Sequence, residues 1–163
     1  MQHTKEEIYD ILRAKDIEFE TVDHVAVHTM EEMERELGRD TSDIAKNAFL
    51  RDEKKKHWYL VVVQKDKSID MAKLKDTIGS TRLSFARPDY LMDHLGVGPG
   101  AVSPLAILND EAHRVEVIMD EEMAKKDMIG IHPCDNTSTV FMKYKDLEKL
   151  IKANGNSIRT VKV

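Results

Sequence analysis

The chain has 163 residues, of which 41% are hydrophobic and 34% charged, with a net charge of −5 and a single cysteine. That length suits one domain over residues 1–163 with its own core, and the negative charge argues against a general nucleic-acid coat, whose affinity comes from neutralising phosphates. One cysteine excludes an internal disulfide framework and fits a reducing, cytoplasmic location. No apolar run approaches the roughly 20 residues that span a bilayer, and Met1–Glu7 lacks the apolar stretch of a secretory signal.

Thr4-Lys5-Glu6-Glu7 is a capping box followed by an apolar stripe at Ile8, Ile11 and Leu12, which predicts a first helix over about 4–15. A short strand over Glu18–Val22 follows. Thr29-Met30-Glu31-Glu32 is a second capping box, and Gly38 a candidate C-cap, so a second helix is predicted over about 30–37. The period then changes. Ile44–Leu50 and Trp58–Val63 read as strands joined by the charged turn Arg51–His57, and Leu60–Val63 has the continuous apolar character of a strand buried on both faces. A helix over about 70–78 stops at Gly79, and another runs from Pro88 to Leu95 before Gly96. Strands are predicted near 101–108, 114–119, 128–132 and 138–143, then a helix over about 144–153, and an edge strand at Val161–Val163. Without strict alternation of strand and helix, the pattern predicts an α+β fold: one mixed, mostly antiparallel sheet curled into a small barrel with flanking helices.

Four stretches carry candidate chemistry. Leu95–Pro104 holds three of the seven glycines and two of the four prolines. It is either a plain turn or a stiff loop holding backbone N–H groups toward a ligand. His132-Pro133-Cys134-Asp135-Asn136-Thr137 packs an imidazole, a thiol, a carboxylate, an amide and a hydroxyl between two apolar strands, as a polar turn or as a site. Lys46 is in phase with Ile44, Ala48 and Leu50, so it either snorkels to an edge or lines an anion-holding pocket. Lys54-Lys55-Lys56 is a solvated hairpin tip or a phosphate contact. A zinc site is poorly supported, since His132 and Cys134 lie two residues apart with no second cysteine. A Cys134/His132 nucleophile pair has no other support. Neither a Walker loop nor a Gly-x-Ser-x-Gly elbow is present.

Lys46-Asn47-Ala48-Phe49-Leu50-Arg51-Asp52, Arg82-Leu83-Ser84-Phe85-Ala86, Leu95–Pro104 and His132–Thr137 together resemble the successive motifs of the prolyl-tRNA editing domain family. This is the YbaK-like group of freestanding aminoacyl-tRNA deacylases, related to the insertion domain of bacterial prolyl-tRNA synthetases. The resemblance runs in order over about residues 20–150. It implies a barrel-like mixed sheet and metal-free, cofactor-free hydrolysis of a mischarged aminoacyl ester, typically Ala-tRNA(Pro). It implies a water placed with help from a hydroxyl of the terminal ribose. Gly100 to Pro104 matches the family's loop for the terminal adenosine and ester, Lys46 its essential lysine, and His132 its amino-acid pocket histidine. The resemblance makes Lys46, Gly100 and His132 the catalytic candidates. The substrate-binding candidates are Asn47, Phe85, Ala101, Val102, Ser103, Pro104, Asn136 and Thr137, and Lys54, Lys55 and Lys56 are the candidates for tRNA phosphates. The implied partners are the acceptor end of tRNA(Pro) and a prolyl-tRNA synthetase, with no membrane. Ala48 and Cys134 depart from the larger apolar residues that the family commonly carries, which leaves open deacylases for cysteine, serine or threonine. A non-catalytic tRNA- or synthetase-binding module is the rival from another class.

Overall fold

The computed structural model describes residues 3–23 and 43–163. The helix predicted over 30–37, with its capping box, lies outside the described residues. In chain order the elements are α1 (Lys5–Ala14), β1 (Phe19–Asp23), β2 (Ala45–Arg51), β3 (Trp58–Gln64), α2 (Met71–Ile78), β4 (Ser84–Phe85) and α3 (Pro88–Leu95). Two 3-10 turns follow at Pro99–Ala101 and Pro104–Asn109. Then come β5 (Val115–Asp120), α4 (Glu121–Ala124), β6 (Met128–Ile131), β7 (Ser138–Lys143), α5 (Tyr144–Ala153) and β8 (Ile158–Val161).

The helices begin and end where local chemistry dictates. Thr4 Oγ1 accepts from Glu7 N at 3.2 Å, and Thr4 N donates to Glu7 Oε1 at 3.1 Å, completing the capping box of α1. Gly79 and Gly96 take φ of 73° and 66° and close α2 and α3 in the left-handed conformation that lets glycine stop a helix.

The strands form two sheets, ordered β1-β7-β6 and β4-β2-β3-β5-β8. The first is antiparallel throughout; in the second, β2 runs antiparallel to β3 and β4, while β3-β5 and β5-β8 are parallel. A mixed α+β fold is therefore present, but among the described residues the sheets do not close into a barrel. The sheets meet through a bridge between Ile44 and Gly130, reinforced by Gly130 N donating to Asp43 O at 2.8 Å. β2 continues away from that corner, and its far end pairs with β4 instead. Gly130 is the corner because nothing larger fits: a Cβ there would lie 2.8 Å from Phe141 Cε1 and 3.1 Å from Ile44 Cγ1. Gly130→Val is expected to destabilise the protein by about 1–3 kcal/mol through overpacking, read from the urea midpoint.

β3 divides two cores. Leu60 and Val62 pack with α1, α3, α5 and the inner sheet faces, whereas Tyr59, Val61 and Val63 pack with Leu74 and Ile78 of α2. Burial on both faces is what the continuous apolar run predicts. The strand predicted over 101–108 is instead the pair of 3-10 turns. Pro99 and Pro104 each open one, without an N–H to give to a ladder. Leu105, Ala106 and Ile107 are all buried, so consecutive apolar residues mimic a strand while the backbone coils. The last strand lies at Ile158–Val161 rather than 161–163, parallel to β5.

Candidate functional site

The glycine-proline loop is held in place from three sides. At its start, Gly96 N donates to Met92 O at 3.0 Å. In its middle, Ala101 N donates to Gly98 O at 3.0 Å, forming a tight turn over Pro99–Ala101. At its end, the buried Ser103 Oγ accepts from Leu105 N at 3.2 Å. From β2, Asn47 Nδ2 donates to Val102 O at 3.2 Å. On the other flank the loop meets residues 132–137: a Cβ on Gly100 would lie 3.1 Å from Asn136 Nδ2. Gly100 does not need a positive φ; its requirement is close approach.

The 132–137 loop is equally fixed. Cys134 takes φ 62°, a left-handed conformation uncommon for a residue with a side chain. Asp135 Oδ1 accepts from Thr137 N at 2.8 Å and Thr137 Oγ1 at 2.6 Å. The bonds from Thr137 hold the Asp135 carboxyl below the usual aspartate range. His132 Nδ1 donates to Ser138 O at 3.1 Å, which puts the proton of the neutral ring on Nδ1. Burial pushes the Cys134 thiol up to about 12, so at neutral pH it is no nucleophile.

A cavity of about 260 Å³ opens between β2, β4, α3 and the glycine-proline loop, lined by Asn47, Phe49, Phe85, Leu91, Pro99 and Val102 among others. Phe85 is 63% exposed at its side. Asn47 Oδ1 is buried and finds no partner among the described residues. The structure thus brings Asn47, Phe85 and Val102 together around one hollow, and Gly100 against Asn136 on the loop's other flank. Neither Lys46 nor His132 is among the residues lining that hollow. Lys46 keeps the predicted phase with Ala48 and Leu50, which pack against Leu74 and Ile78 of α2, and its cross-strand partner Val63 belongs to the same core. Its side chain is exposed, and Nζ donates to Lys67 O at 2.9 Å, the edge-reaching alternative of the two that its phase allows.

Lys54, Lys55 and Lys56 lie exposed on the β2–β3 turn. The turn is organised by the buried carboxylate of Asp52, which accepts from Lys56 N at 2.8 Å, His57 N at 3.1 Å and His57 Nδ1 at 2.8 Å. Burial alone would raise the Asp52 pKa, but these hydrogen bonds outweigh it and hold the carboxyl below its ordinary 3.8. A depressed folded pKa contributes stability that is present above the unfolded value and lost as pH falls through the folded one. The unfolding midpoints of wild type and Asp52→Asn are therefore expected to converge as pH falls from about 6 to about 3; a constant gap would contradict the assignment.

Among the described residues no three His, Cys, Asp or Glu side chains converge as a metal site would require. No helix among them is long and apolar enough to cross a membrane.

The model of the aminoacyl-tRNA editing domain family matches residues 24–150. The chain belongs to the aminoacyl-tRNA editing domain family. This editing domain is 45% identical over 147 residues to the prolyl-tRNA editing protein ProX of Acetoanaerobium sticklandii, covering 90% of each. It is 31% identical over 154 residues to the prolyl-tRNA synthetase associated domain-containing protein 1 of Mus musculus, covering 92% of this chain and 90% of the relative. Its fold superimposes with a TM-score of 0.76, at 18% identity, on a candidate trans-editing enzyme for prolyl tRNA synthetase, covering 100% and 99% of the two chains.

Three residues of this editing domain that support the loops escaped the sequence reading. Asn109, buried, donates through Nδ2 to Leu95 O at 2.8 Å and approaches Cys134 Sγ at 3.9 Å, so one amide ties the bases of both loops. Its Oδ1 accepts from His3 N at 2.8 Å. Lys5 Nζ donates to Thr137 Oγ1 at 3.4 Å, and Tyr9 OH bonds Ser138 Oγ at 2.7 Å, so α1 buttresses the second loop. Only the position of Lys5 and Tyr9 on an amphipathic helix was visible in sequence. Nothing local marks Asn109.

Proposed function

We propose that this editing domain, read as one unit over residues 1–163, is a trans-editing deacylase hydrolysing the ester of mischarged tRNA(Pro), with Ala-tRNA(Pro) as its first substrate. The observation that carries the reading is the bare Gly100 backbone held against Asn136 on a loop that Asn47 anchors through Val102. Ester hydrolysis needs a placed water and donors for the developing oxyanion, and fixed backbone N–H groups supply the latter without reorganising. A protein nucleophile is not required. The Ser103 hydroxyl is buried and already bonded to Leu105 N, and the Cys134 thiol stays protonated. The ribose hydroxyl of the terminal adenosine takes the role of placing the water.

In this reading Gly100, Ala101, Val102, Ser103 and Pro104 shape the ester subsite, with Asn136, Thr137 and His132 on the facing loop. Phe85 offers a ring beside the cavity for the terminal base, and Asn47 fixes the loop. Lys46, exposed and bonded among the described residues to the Lys67 carbonyl, swings to the terminal phosphate or ribose as a compact point charge. The work takes place in the cytoplasm, beside a prolyl-tRNA synthetase. Removal of cysteine, serine or threonine is the second reading within the same chemistry, favoured by Ala48 and Cys134. That Lys46 is not among the cavity-lining residues is what a non-catalytic RNA-binding module would also show.

A panel of Ala-, Cys-, Ser-, Thr- and Pro-tRNA(Pro) separates these readings. Alanine release is expected to be fastest, with cross-reactivity toward similar side chains, since one methylene is worth only about 1–3 kcal/mol in a pocket. Lys46→Ala is expected to lose activity by about 100-fold without loss of stability, as its side chain is exposed. A folded wild-type protein that releases no amino acid would leave the binding module.

A further inference from the structure

We infer that the β2–β3 turn and the first turn of α3 form one preorganised cationic ridge that takes RNA backbone phosphates beside the candidate site, with Arg87 as a phosphate contact and Asp52 as the residue that sets the ridge's shape. The inference rests on the RNA-substrate reading above.

The two segments are joined through Tyr90. Lys55 Nζ lies 5.5 Å and Arg87 Cζ 5.3 Å from the centre of its ring, and the ring itself packs on Trp58 at 5.0 Å between centroids. Trp58 opens β3 at the base of the turn. Lys55 therefore does not wave from a loose tip; its chain is laid over an aromatic side chain of α3. The same helix turn faces the site: Pro88 and Leu91 line the cavity, while Arg87 and Tyr90, on either side of Pro88, carry the cations. A strand whose 3′ end enters the cavity would leave it across Arg87 toward Lys55.

The turn is built to hold that shape. Asp52 N donates to His57 O at 3.1 Å and Lys55 N to Asp52 O at 3.3 Å. The Asp52 carboxylate takes its three further bonds from Lys56 and His57. Lys55 sits at φ 58°, a conformation that needs such support. Glu53 N is tied to Thr81 Oγ1 at 3.0 Å, anchoring the tip to the segment before β4. Fixing the cations beforehand lowers the entropy lost when RNA binds. Arg87 meets Asp89 at 3.2 Å, but both are exposed, and such pairs are weak; Glu53, beside Lys54, is the exposed acidic group on the turn itself. A chain with net charge −5 that nonetheless sets Lys55 and Arg87 on one aromatic ring, with Lys54 and Lys56 flanking Lys55 in the turn, suits a phosphate backbone rather than a neutral ligand.

The test is the salt dependence of binding to uncharged tRNA(Pro), by fluorescence anisotropy between about 50 and about 200 mM salt. Lys55→Ala and Arg87→Ala are each expected to flatten the log–log slope by about 0.7–0.9, about a threefold smaller affinity loss over that range per contact removed. Lys149→Ala, of the same charge on α5, should leave the slope unchanged. Asp52→Ala decides the positioning claim by its sign. Deleting a carboxylate should tighten RNA binding if only net charge mattered, whereas loss of the preset turn weakens it. Unaltered slopes in both cation variants would overturn the ridge, including the case in which it holds an acidic protein surface. Tighter binding by Asp52→Ala would overturn the positioning role. Because uncharged tRNA is the probe, a wild-type protein that fails to hydrolyse esters yet shows the slope changes would refute the deacylase reading and leave the ridge standing.

Discussion

Gly100→Val is expected to reduce deacylation of Ala-tRNA(Pro) by about 100-fold or more while moving the unfolding midpoint by no more than about 2 °C. Gly100 does not hold a left-handed φ, so a side chain brings no backbone strain there. It is exposed, so a branched side chain would not invade a core. Among the described residues, the one group that a Cβ would press is the Asn136 amide, at 3.1 Å, the end of a side chain that can give. What the substitution fills is the gap between the two loops, where the ester must come close to backbone N–H groups. Gly100→Ala, adding the Cβ alone, should fall between wild type and Val. Gly130→Val makes the opposite pattern: the neighbour there is the Phe141 ring at 2.8 Å inside the sheet corner, so stability falls first. Full activity in a folded Gly100→Val protein would make the loop a plain turn.

The second large effect is expected at Asn47. Asn47→Ala should lower kcat/KM by about 100-fold, because an unpinned loop misplaced by about 1 Å can cost that much. Its stability cost should stay within about 1 kcal/mol. The lost bond to Val102 O is partly offset by removing Oδ1, a buried acceptor that has no partner among the described residues. Asn47→Asp is the discriminating variant. It keeps the shape but cannot donate to the Val102 carbonyl, so it should be no better than Ala. An active Asp variant would show that Asn47 merely fills space.

Much of this architecture is legible in the residues because its signals are local. A capping box starts α1, glycines stop α2 and α3, and the two-sided apolar run of β3 announces a strand between two cores. The site is legible as composition, since both loops concentrate residues that rarely cluster without cause. What escapes is whatever depends on distant partners. The run 101–108 reads as a strand because it is mostly apolar, and only Pro104 hints that it coils. Lys46 keeps its phase, yet the sequence does not show that its side chain reaches out to the carbonyl of Lys67, beyond the end of β3. Gly130 carries the bridge that joins the two sheets, and the phenyl ring that forbids a larger residue there lies eleven residues away. Asn109 bridges two loops and the N-terminus through contacts 14 to 106 residues apart, which no local pattern encodes.

The most direct test of the account is a time course of purified wild-type protein with Ala-tRNA(Pro) and, in parallel, Pro-tRNA(Pro). Catalytic release of alanine with the prolyl ester spared is the predicted result. Alanine release no faster than spontaneous hydrolysis, from a protein shown to be folded, would contradict it.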